Sequence, residues 1–389
     1  MTPPDAQPAV PARPAPLREL AWLFGKLGLT AFGGPAAHTA MMEDEVVRRR
    51  GWLTHDEFLD LLGATNLIPG PNSTEMALHI GHARARWAGL VVAGVCFIMP
   101  AVVIVMAMAW AYVRFGTLPE IAGALYGVKP VIIAVVVQAL WGLGRSAMKT
   151  WLLRVVAIGA LAASLAGLGE MLVLVAAGFV VGARRLVAEP WSGRAASWSG
   201  LPWLGAAATT TTATFGLGPL FVVFLKVGSV LFGSGYVLLA FLRSDLVDRL
   251  HWLTEAQLLD AVAVGQVSPG PVFTTATFIG YLLGGPSAAA VATLGIFLPA
   301  FAFVAISGPV IPRLRRSKTA GAVLDGVNAA SLALMAAVTI QLGRAAIIDV
   351  PTAALAAVGA VVLIRYKLNS AWLVLGGAII GSALAYGPW

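Results

Sequence analysis

The residues of this chain that could bind a charged ligand occur twice, 200 positions apart. Lys26 and Lys226 each lie inside an apolar segment, and a Pro-Gly-Pro sequence interrupts another segment at 69–71 and again at 269–271. A helix that restarts after such a break presents unsatisfied backbone N–H groups and the positive end of its dipole, and both favour an anion. The two copies therefore predict paired elements of an anion site.

Polar side chains flank each break and can add hydrogen-bond donors. The predicted substrate-binding residues are Lys26, Lys226, Asn66, Asn72, Ser73, Thr74, Gln266, Ser268, Thr274, Thr275 and Lys129. The predicted backbone part of the site consists of Gly33, Gly34, Pro69, Gly70, Pro71, Gly233, Gly235, Pro269, Gly270 and Pro271. Each prediction has a structural alternative, because lysines can extend to the membrane interface, prolines can merely kink a helix and glycines let helices pack closely.

Three carboxylates, Glu75, Asp60 and Asp260, are candidates for coupling to protons, because a buried carboxyl group can exchange a proton near neutral pH. The alternative for each is a structural ion pair with Lys or Arg. Glu75 lies inside the first broken element, and its equivalent in the second copy is Thr275. The acid is therefore not needed to build the fold.

The composition is that of an integral membrane protein of the helical class. The chain has 389 residues, of which 59% are hydrophobic and only 11% are charged, whereas about 25% of residues are charged in an ordinary soluble domain. Apolar runs such as 91–111 are long enough to cross a bilayer as a helix, and they do not alternate as the strands of a barrel would. About thirteen spans are predicted. Their centres lie near Ala31, Ala64, Met99, Ile132, Ala160, Leu174, Ala208, Ser229, Val267, Ile296, Leu332, Ala357 and Gly377.

Two of these segments have an alternative topology. Each Pro-Gly-Pro element could form a re-entrant hairpin, because irregular backbone is tolerated at membrane depth where protein or water surrounds it. Within both elements, Thr54 with Glu57 and Thr254 with Gln257 match the capping box that begins a helix. Both copies are therefore predicted to start a helix at the same place.

Basic residues indicate the orientation of the chain. With a cytoplasmic N-terminus and a periplasmic C-terminus, most of the loops rich in Lys and Arg lie inside, as the positive-inside rule requires. The triplet 48–50 is the main exception, since a span centred near Ala31 would place it outside. The net charge of +8 is explained by these loops and does not indicate a nucleic-acid partner.

The repeat predicts two homologous halves of opposite topology, because an odd number of spans separates the copies. The predicted organisation is a disordered cytoplasmic tail over 1–17, an N-terminal repeat over 18–195, a linking span over 196–216 and an inverted C-terminal repeat over 217–389. At an offset of 199 the match continues, so Lys129 is equivalent to Asn328.

Several functions are excluded by missing motifs. The chain has no Walker loop, dinucleotide fingerprint or His-Glu-x-x-His helix, and its five histidines are scattered. The single cysteine, Cys96, excludes an intrachain disulfide and a thiol cluster. No cofactor and no metal site are predicted, and an ion gradient is the expected source of energy.

These residues resemble the chromate ion transporter family, in its long members with two homologous halves. The resemblance rests on Phe32-Gly-Gly-Pro35, Gly51-Trp-Leu-Thr54 and Asn66-Leu-Ile-Pro-Gly-Pro-Asn72, with Phe232-Gly-Ser-Gly235 and Gln266-Val-Ser-Pro-Gly-Pro271 in the second half. It covers nearly the whole chain after Leu17. The resemblance implies export of chromate across the bacterial inner membrane, driven by the membrane potential or a proton gradient, with competition from sulfate.

Alternatives remain open beside chromate export. Within the transporter class these are a sulfate-type uptake carrier and a passive anion channel. A membrane-embedded enzyme acting on a lipid phosphate is a further alternative, although the chain lacks the nucleophile or metal cluster that it would need. The expected partners are the transported oxyanion and the lipid bilayer, and the sequence leaves a homodimer open.

Overall fold

The computed structural model describes residues 16–32, 34–116, 119–188, 215–231, 237–366 and 370–385. These residues form helices joined by turns, with no strand among them, which confirms the all-α class. The first-half helices are α1 (Leu17–Thr30), α2 (Gly34–Glu43), a π-helix (Asp44–Arg49), α3 (His55–Thr65), α4 (Asn72–Phe115), α5 (Pro119–Ala147), α6 (Trp151–Leu165) and α7 (Glu170–Ala188). Those of the second half are α8 (Leu217–Val230), α9 (Leu238–Leu242), a π-helix (Arg243–Arg249), α10 (Glu255–Val267), a 3₁₀ turn (Val272–Thr274), α11 (Thr275–Arg316), α12 (Lys318–Ala346), α13 (Val350–Tyr366) and α14 (Ser370–Ala385).

Apolar helices of membrane-spanning length occur in both halves. Within the described residues, four segments are long and apolar enough to cross a bilayer: Asn72–Phe115, Ala122–Arg145, Val272–Ser307 and Thr319–Ala346. Shorter apolar helices include Trp151–Leu165 and Val350–Tyr366. The prediction of a helical integral membrane protein is thereby confirmed. The predicted centre near Ala208 and the linking span 196–216 lie almost wholly outside the described residues.

The long helix α4 folds back on itself near its start. Ala85 (φ −144°, ψ 29°) and Arg86 (φ 53°, ψ −138°) are not helical, and the backbones of Gly81 and Gly89 are in contact. Eight residues of straight helix would separate these glycines by about 12 Å, so the chain reverses at 85–86. In α11 the same reversal occurs at Gly284 and Gly285.

The Pro-Gly-Pro elements also form hairpins. The Arg84 guanidinium, at the end of the first arm of α4, lies 5.3 Å from the ring centre of Trp52, and Trp52 immediately precedes α3. The arm of α4 that follows the break therefore returns to the level at which α3 begins. Both predicted capping boxes are present at the starts of α3 and α10, which confirms those helix starts.

The lysine-bearing segments form a second kind of hairpin. The Lys26 ammonium in α1 donates to the Glu45 carboxylate at 2.8 Å, although the two residues are 19 positions apart and a straight helix would separate them by about 28 Å. α1 and the π-helix therefore run side by side, with the turn near Phe32. In the second half Lys226 and Asp245 make the equivalent contact at 2.9 Å.

Four predicted spans are corrected by these hairpins. The centres near Ala31, Ala64, Ser229 and Val267 all lie within two residues of a helix end, so a continuous spanning helix centred at any of them is wrong. A hydropathy window averages over both arms of a hairpin, so it does not detect the reversal. The remaining described centres, near Met99, Ile132, Ala160, Leu174, Ile296, Leu332, Ala357 and Gly377, all lie inside helices.

The halves interlock through their last helices. α6 and α7 of the first half pack on α12 of the second, while α13 and α14 pack on α5 of the first. Small residues allow this approach, since the backbone of Gly127 contacts those of Gly377 and Gly381. The equivalent Gly326 meets the backbone of Ala177. Neither predicted repeat is therefore packed as an independent unit, and their boundaries stay a prediction.

Candidate functional site

The two Pro-Gly-Pro breaks are tied to the other half of the molecule by a reciprocal pair of hydrogen bonds. The Gly70 N–H donates to the Leu231 carbonyl at 2.8 Å, and the Gly270 N–H donates to the Ala31 carbonyl at 2.9 Å. Leu231 and Ala31 are the residues at which α8 and α1 end. The two donors are 200 positions apart and so are the two acceptors, so the same contact joins each break to a helix end of the other half.

Each break depends on its glycine. Gly70 has a φ of +143° and Gly270 a φ of +82°, in the range that residues with a side chain rarely adopt. Space is also limited, because a methyl group on Gly270 would lie 2.8 Å from the Ala101 Cβ and 3.1 Å from the Gly28 carbonyl oxygen. On Gly70 it would meet the Glu75 carboxylate.

The predicted polar residues gather at the two breaks. In the first half, Asn72 Nδ2 donates to Asn66 Oδ1 at 2.9 Å, and Ser73 and Thr74 are buried. Pro71 precedes α4 and provides no side-chain cap for its first N–H groups. The arrangement therefore combines an uncapped helix start with buried hydroxyl groups, which can bind an anion.

At the second break, both threonine hydroxyl groups already have hydrogen-bond partners. Thr274 Oγ1 donates to the Pro271 carbonyl at 2.9 Å, and Thr275 Oγ1 donates to the Val272 carbonyl at 2.8 Å. Gln266 and Ser268 are buried beside the break. Pro271 again leaves the following helical turn without a side-chain cap.

Lys26 and Lys226 do not contribute free positive charges. Lys26 shares the Glu45 carboxylate with Arg50, whose guanidinium also contacts it, and with Arg49 at 3.5 Å. Burial raises the pKa of the Glu45 carboxyl, but its hydrogen bonds with Lys26 and Arg50 outweigh burial, so this pKa lies below its ordinary value. Both lysines hold the arms of their hairpins together, and their predicted contact with substrate stays a prediction.

Asp245, the counterpart of Glu45, has fewer cationic partners. Lys226 donates to both oxygens of Asp245, at 2.9 Å each, and Arg249 contacts the same carboxylate at 2.9 Å. The lysine side chains keep 43% and 36% exposure, in the order Lys26 and Lys226. An exposed lysine gains less from its partner than a buried one does.

Lys129 and Asp260 meet across the two halves. The Lys129 ammonium lies 3.2 Å from Asp260 Oδ1, and the Tyr112 hydroxyl donates to Oδ2 at 2.9 Å. The Asp260 side chain is 4% exposed and that of Lys129 is 22% exposed. Asp60, the equivalent of Asp260, is exposed. Asp260 is thus in an ion pair inside the molecule, whereas Asp60 lies at the surface.

Glu75 is fully buried at the first break. Neither oxygen of its carboxyl group has a hydrogen-bond partner in the described structure, and the same holds for Thr74 Oγ1 and His79 Nε2. His79 was not singled out by the sequence analysis. The signal was its position four residues after Glu75, which places both side chains on one face of a helix.

The remaining predicted backbone residues are only partly described. Gly34 begins α2, whereas Gly33, Gly233 and Gly235 lie outside the described residues. Among the described residues, no group of three or more His, Cys, Asp or Glu side chains could hold a metal ion.

Comparisons with known proteins identify relatives along nearly the whole chain. A profile of the family described as chromate transporter matches residues 18–183 and 218–382. The chromate transport protein of Cupriavidus metallidurans is 32% identical over 390 residues, covering 97% of this chain and 96% of that protein. The chromate transport protein of Pseudomonas aeruginosa is 32% identical over 378 residues, or 92% and 90% of the two chains.

A shorter relative matches only part of the chain. The uncharacterized transporter YwrA of Bacillus subtilis is 30% identical over 133 residues, which are 34% of this chain and 75% of that protein. No solved structure matches the chain significantly.

Proposed function

This chain belongs to the chromate transporter family, and we propose that it is a secondary transporter that exports chromate across the bacterial inner membrane. Members of the family are transporters rather than enzymes. The observation that carries the proposal is the reciprocal pair of hydrogen bonds at Gly70 and Gly270, because it places each helix break against the other half of the molecule. Broken helices that meet at the interface of two repeats are where secondary transporters bind their ions.

The proposed site binds the tetrahedral dianion with helix starts and neutral donors. The N–H groups at the start of α4 and of the turn after Pro271 supply positive dipole ends. Hydroxyl and amide groups at both breaks add donors. The proposed set consists of Asn66, Asn72, Ser73, Thr74, Gln266, Ser268, Thr274 and Thr275. Lys26, Lys226 and Lys129 would act from a distance or after exchanging their carboxylate partners.

The order of contacts along α4 supports opposite topologies for the halves. Gly89 contacts Gly81 at the base of its own hairpin, and Phe97 contacts Gly28 near the first-half turn. Further along, Ala101 lies at the tip of the second-half hairpin, and Tyr112 reaches Asp260 nearer to its base. The two sets of hairpins therefore approach the centre from opposite ends of α4, as inverted repeats do.

Hairpin topology also supports a cytoplasmic N-terminus. When α1 and α2 form a hairpin, the triplet 48–50 returns to the side of the N-terminus, together with Arg84 and Arg86. The triplet then obeys the positive-inside rule, and Arg114 at the far end of α4 stays an exception. On the opposite side, Arg243 and Arg249 are each paired with acidic residues, which lowers their net positive charge. With the linking segment crossing once, the C-terminus would be periplasmic.

The proposed driving force is the membrane potential, with a proton as a second ion. A dianion leaving a cell of negative interior gains about 2.3 kcal/mol per charge per 100 mV. Glu75 is the proposed proton carrier, because it is fully buried with no partner for either oxygen. Asp260 is the second candidate, and Asp60 the third.

The test is transport by the purified protein in liposomes. Chromate and sulfate flux would be measured with pH and potential set independently. We expect saturable chromate flux that accelerates when the chromate-loaded side is made negative, with sulfate as a competitor. Flux proportional to concentration up to high chromate would indicate a channel. Preferred movement of sulfate in the inward direction would support the uptake carrier instead.

A matched pair of variants ties the flux to the proposed site. Thr74→Val removes a buried hydroxyl with no partner, and its counterpart Thr274→Val removes one that is bonded to Pro271. Both should raise the chromate concentration at half-maximal rate. Gly142→Ala is the control, because no atom lies within 4 Å of the added methyl group. If both threonine variants match this control, the anion does not bind at the breaks.

A further inference from the structure

We propose that His82, His79 and Glu75 form a proton path from the base of the first-half hairpin to the break at Gly70. The inference rests on the proposed function, because it assigns the route by which the proposed proton carrier is loaded. The proposed anion site does not include these histidines.

Helix geometry places the three side chains in one row. They occupy the first arm of α4 at spacings of four and three residues, and residues so spaced are neighbours on a helix surface. Side chains on a helix also lean toward its N-terminus. His79 therefore leans toward Glu75, and His82 leans toward His79.

Burial increases along the row in the direction of the break. His82 is partly exposed and packs edge-on against Trp87, with 5.4 Å between ring centres. His79 is 9% exposed and Glu75 is fully buried. The row thus connects the outer end of the arm to a carboxyl group that solvent does not reach directly.

Unpartnered polar atoms make the inner half of the row a path rather than a packed polar cluster. His79 Nε2 and both Glu75 oxygens have no hydrogen-bond partner, and leaving such groups buried is costly. A water molecule between them would satisfy both and carry a proton. In the transfer, protonated His82 releases a proton that reaches neutral His79, and His79 passes one proton to the Glu75 carboxylate. His79 is then neutral again and Glu75 is a neutral acid.

The second half lacks the row entirely. Thr275, Ile279 and Leu282 stand at the equivalent positions, and the Thr275 hydroxyl is bonded to the Val272 carbonyl. A proton path built on this pattern therefore opens toward one side of the molecule only. That polarity is what a carrier needs if the proton and the anion are to enter from defined sides.

The titratable groups of α2 and α3 either have other partners or are exposed. From α2, His38 bonds to the Ala31 carbonyl at 3.0 Å. On α3, His55 pairs with Glu43 at 3.3 Å and Glu57 caps the helix, while Asp56 and Asp60 are exposed. Arg84 and Arg86 lie at the outer end of the row, where Arg84 stacks on Trp52. From α11, Ala300 and Phe301 present apolar surface.

The experiment measures proton movement and chromate movement separately. In liposomes with an entrapped pH indicator, His79→Gln should lower the protons moved per chromate by at least about tenfold. Potential-driven chromate flux should stay within about twofold of the parent, because the anion site is intact. His82→Gln should have the same effect in smaller measure. His55→Gln, a change to an exposed histidine on α3, is the control and should leave the ratio unchanged.

A second measurement does not need transport. The infrared band of the protonated Glu75 carboxyl group, assigned by its loss in Glu75→Gln, should form more slowly after a pH jump in His79→Gln than in the parent. An unchanged rate together with an unchanged proton-to-chromate ratio would overturn the path. If the parent moved no chromate, the proposed function would fail, while the infrared rate would still decide whether the path exists.

Discussion

The two halves of the chain form the same pair of hairpins, yet they differ in what lies at the break. At the first break, Glu75 is buried without a partner; at the second, Thr275 is bonded to its own helical turn. The equivalent acids Asp60 and Asp260 show the reverse pattern. Asp260 of the second half is buried against Lys129, whereas Asp60 of the first half is exposed. At the breaks, the two halves share backbone and hydroxyl groups, which suit an anion, while the buried acids differ between the halves.

Under the proposed function, this difference assigns anion binding to both halves and proton exchange to one of them. In the proposed function, backbone dipoles at both breaks would bind the anion, and a duplicated backbone is sufficient for that task. Exchange of a proton needs one carboxyl group whose environment changes during transport. Only the first half has such a group at its break, since Thr275 stands at the equivalent position of the second half.

The largest expected effect distinguishes inverted halves from parallel ones. In a Cys96→Ala background, Arg48→Cys and Asp248→Cys place single thiols at equivalent, exposed positions. A thiol reagent that cannot cross the membrane should label position 248 in intact cells and position 48 only after the membrane is opened. Labelling of both from the same side would contradict inverted topology.

The next effect compares the glycines of the two breaks. Gly270→Ala should abolish transport, because its methyl group meets the Gly28 backbone as well as Ala101. In addition, the positive φ at this position costs an alanine about 1–2 kcal/mol relative to glycine. Gly70→Ala also has a strained φ, but its methyl group meets the movable Glu75 side chain rather than backbone, so it should retain more folded protein. Size-exclusion profiles and chromate flux would be compared with Gly142→Ala. Equal losses at both glycines would show that side-chain contact does not matter here.

Breaking the buried ion pair of Lys129 and Asp260 should have a smaller effect than the glycine replacements. Asp260→Asn leaves Lys129, which is partly exposed, without its carboxylate and should cost about 1–3 kcal/mol of stability, whereas Asp60→Asn should cost less than about 1 kcal/mol. Thermal unfolding in detergent would measure both. Lys129→Asn, which introduces the residue found at position 328, should partly restore the stability of Asp260→Asn. A double variant no more stable than Asp260→Asn would contradict the pairing.

Lysine replacements should have the smallest effects on stability. Lys226→Ala leaves Asp245 with Arg249, whereas Lys26→Ala leaves Glu45 with two arginines, so the second-half variant should lose more chromate flux. Lys→Arg at either site should restore part of the chromate flux.

The ion pairs of Glu45 should make stability depend on pH. Because the folded-state pKa of Glu45 is lowered, the stabilising effect of this carboxylate is present above its unfolded-state pKa and is lost as pH falls through its folded-state pKa. Unfolding temperatures measured from pH 7 to pH 3 would check this sign.

The backbone of the site was more predictable than its electrostatics. Prolines at fixed positions and the capping residues at Thr54 and Thr254 act locally, so the breaks and the helix starts after them could be predicted from sequence. The turns at 85–86 and near Phe32 could not, because an apolar helical hairpin and a single span have the same hydropathy. The pairing of Lys26 with Glu45 depends on that turn and was missed with it.

The ion pair of Asp260, the second coupling candidate, could not be predicted for the same reason. Lys129, Tyr112 and Asp260 come from three different helices and from both halves, so their contact depends on how the halves pack. Repeat offsets relate equivalent residues and do not predict which of them meet. For that reason Lys129 was predicted to face substrate, whereas in the structure it faces a carboxylate.

The most direct test of the account is the pH dependence of chromate flux in Glu75→Gln. Initial rates would be measured in vesicles from pH 6 to pH 8 at a clamped potential, for the parent and the variant side by side. The account predicts that the variant folds, keeps its response to potential and loses most of the variation with pH. A Glu75→Gln profile that overlays the parent at every pH would contradict the assignment of proton coupling to the first half.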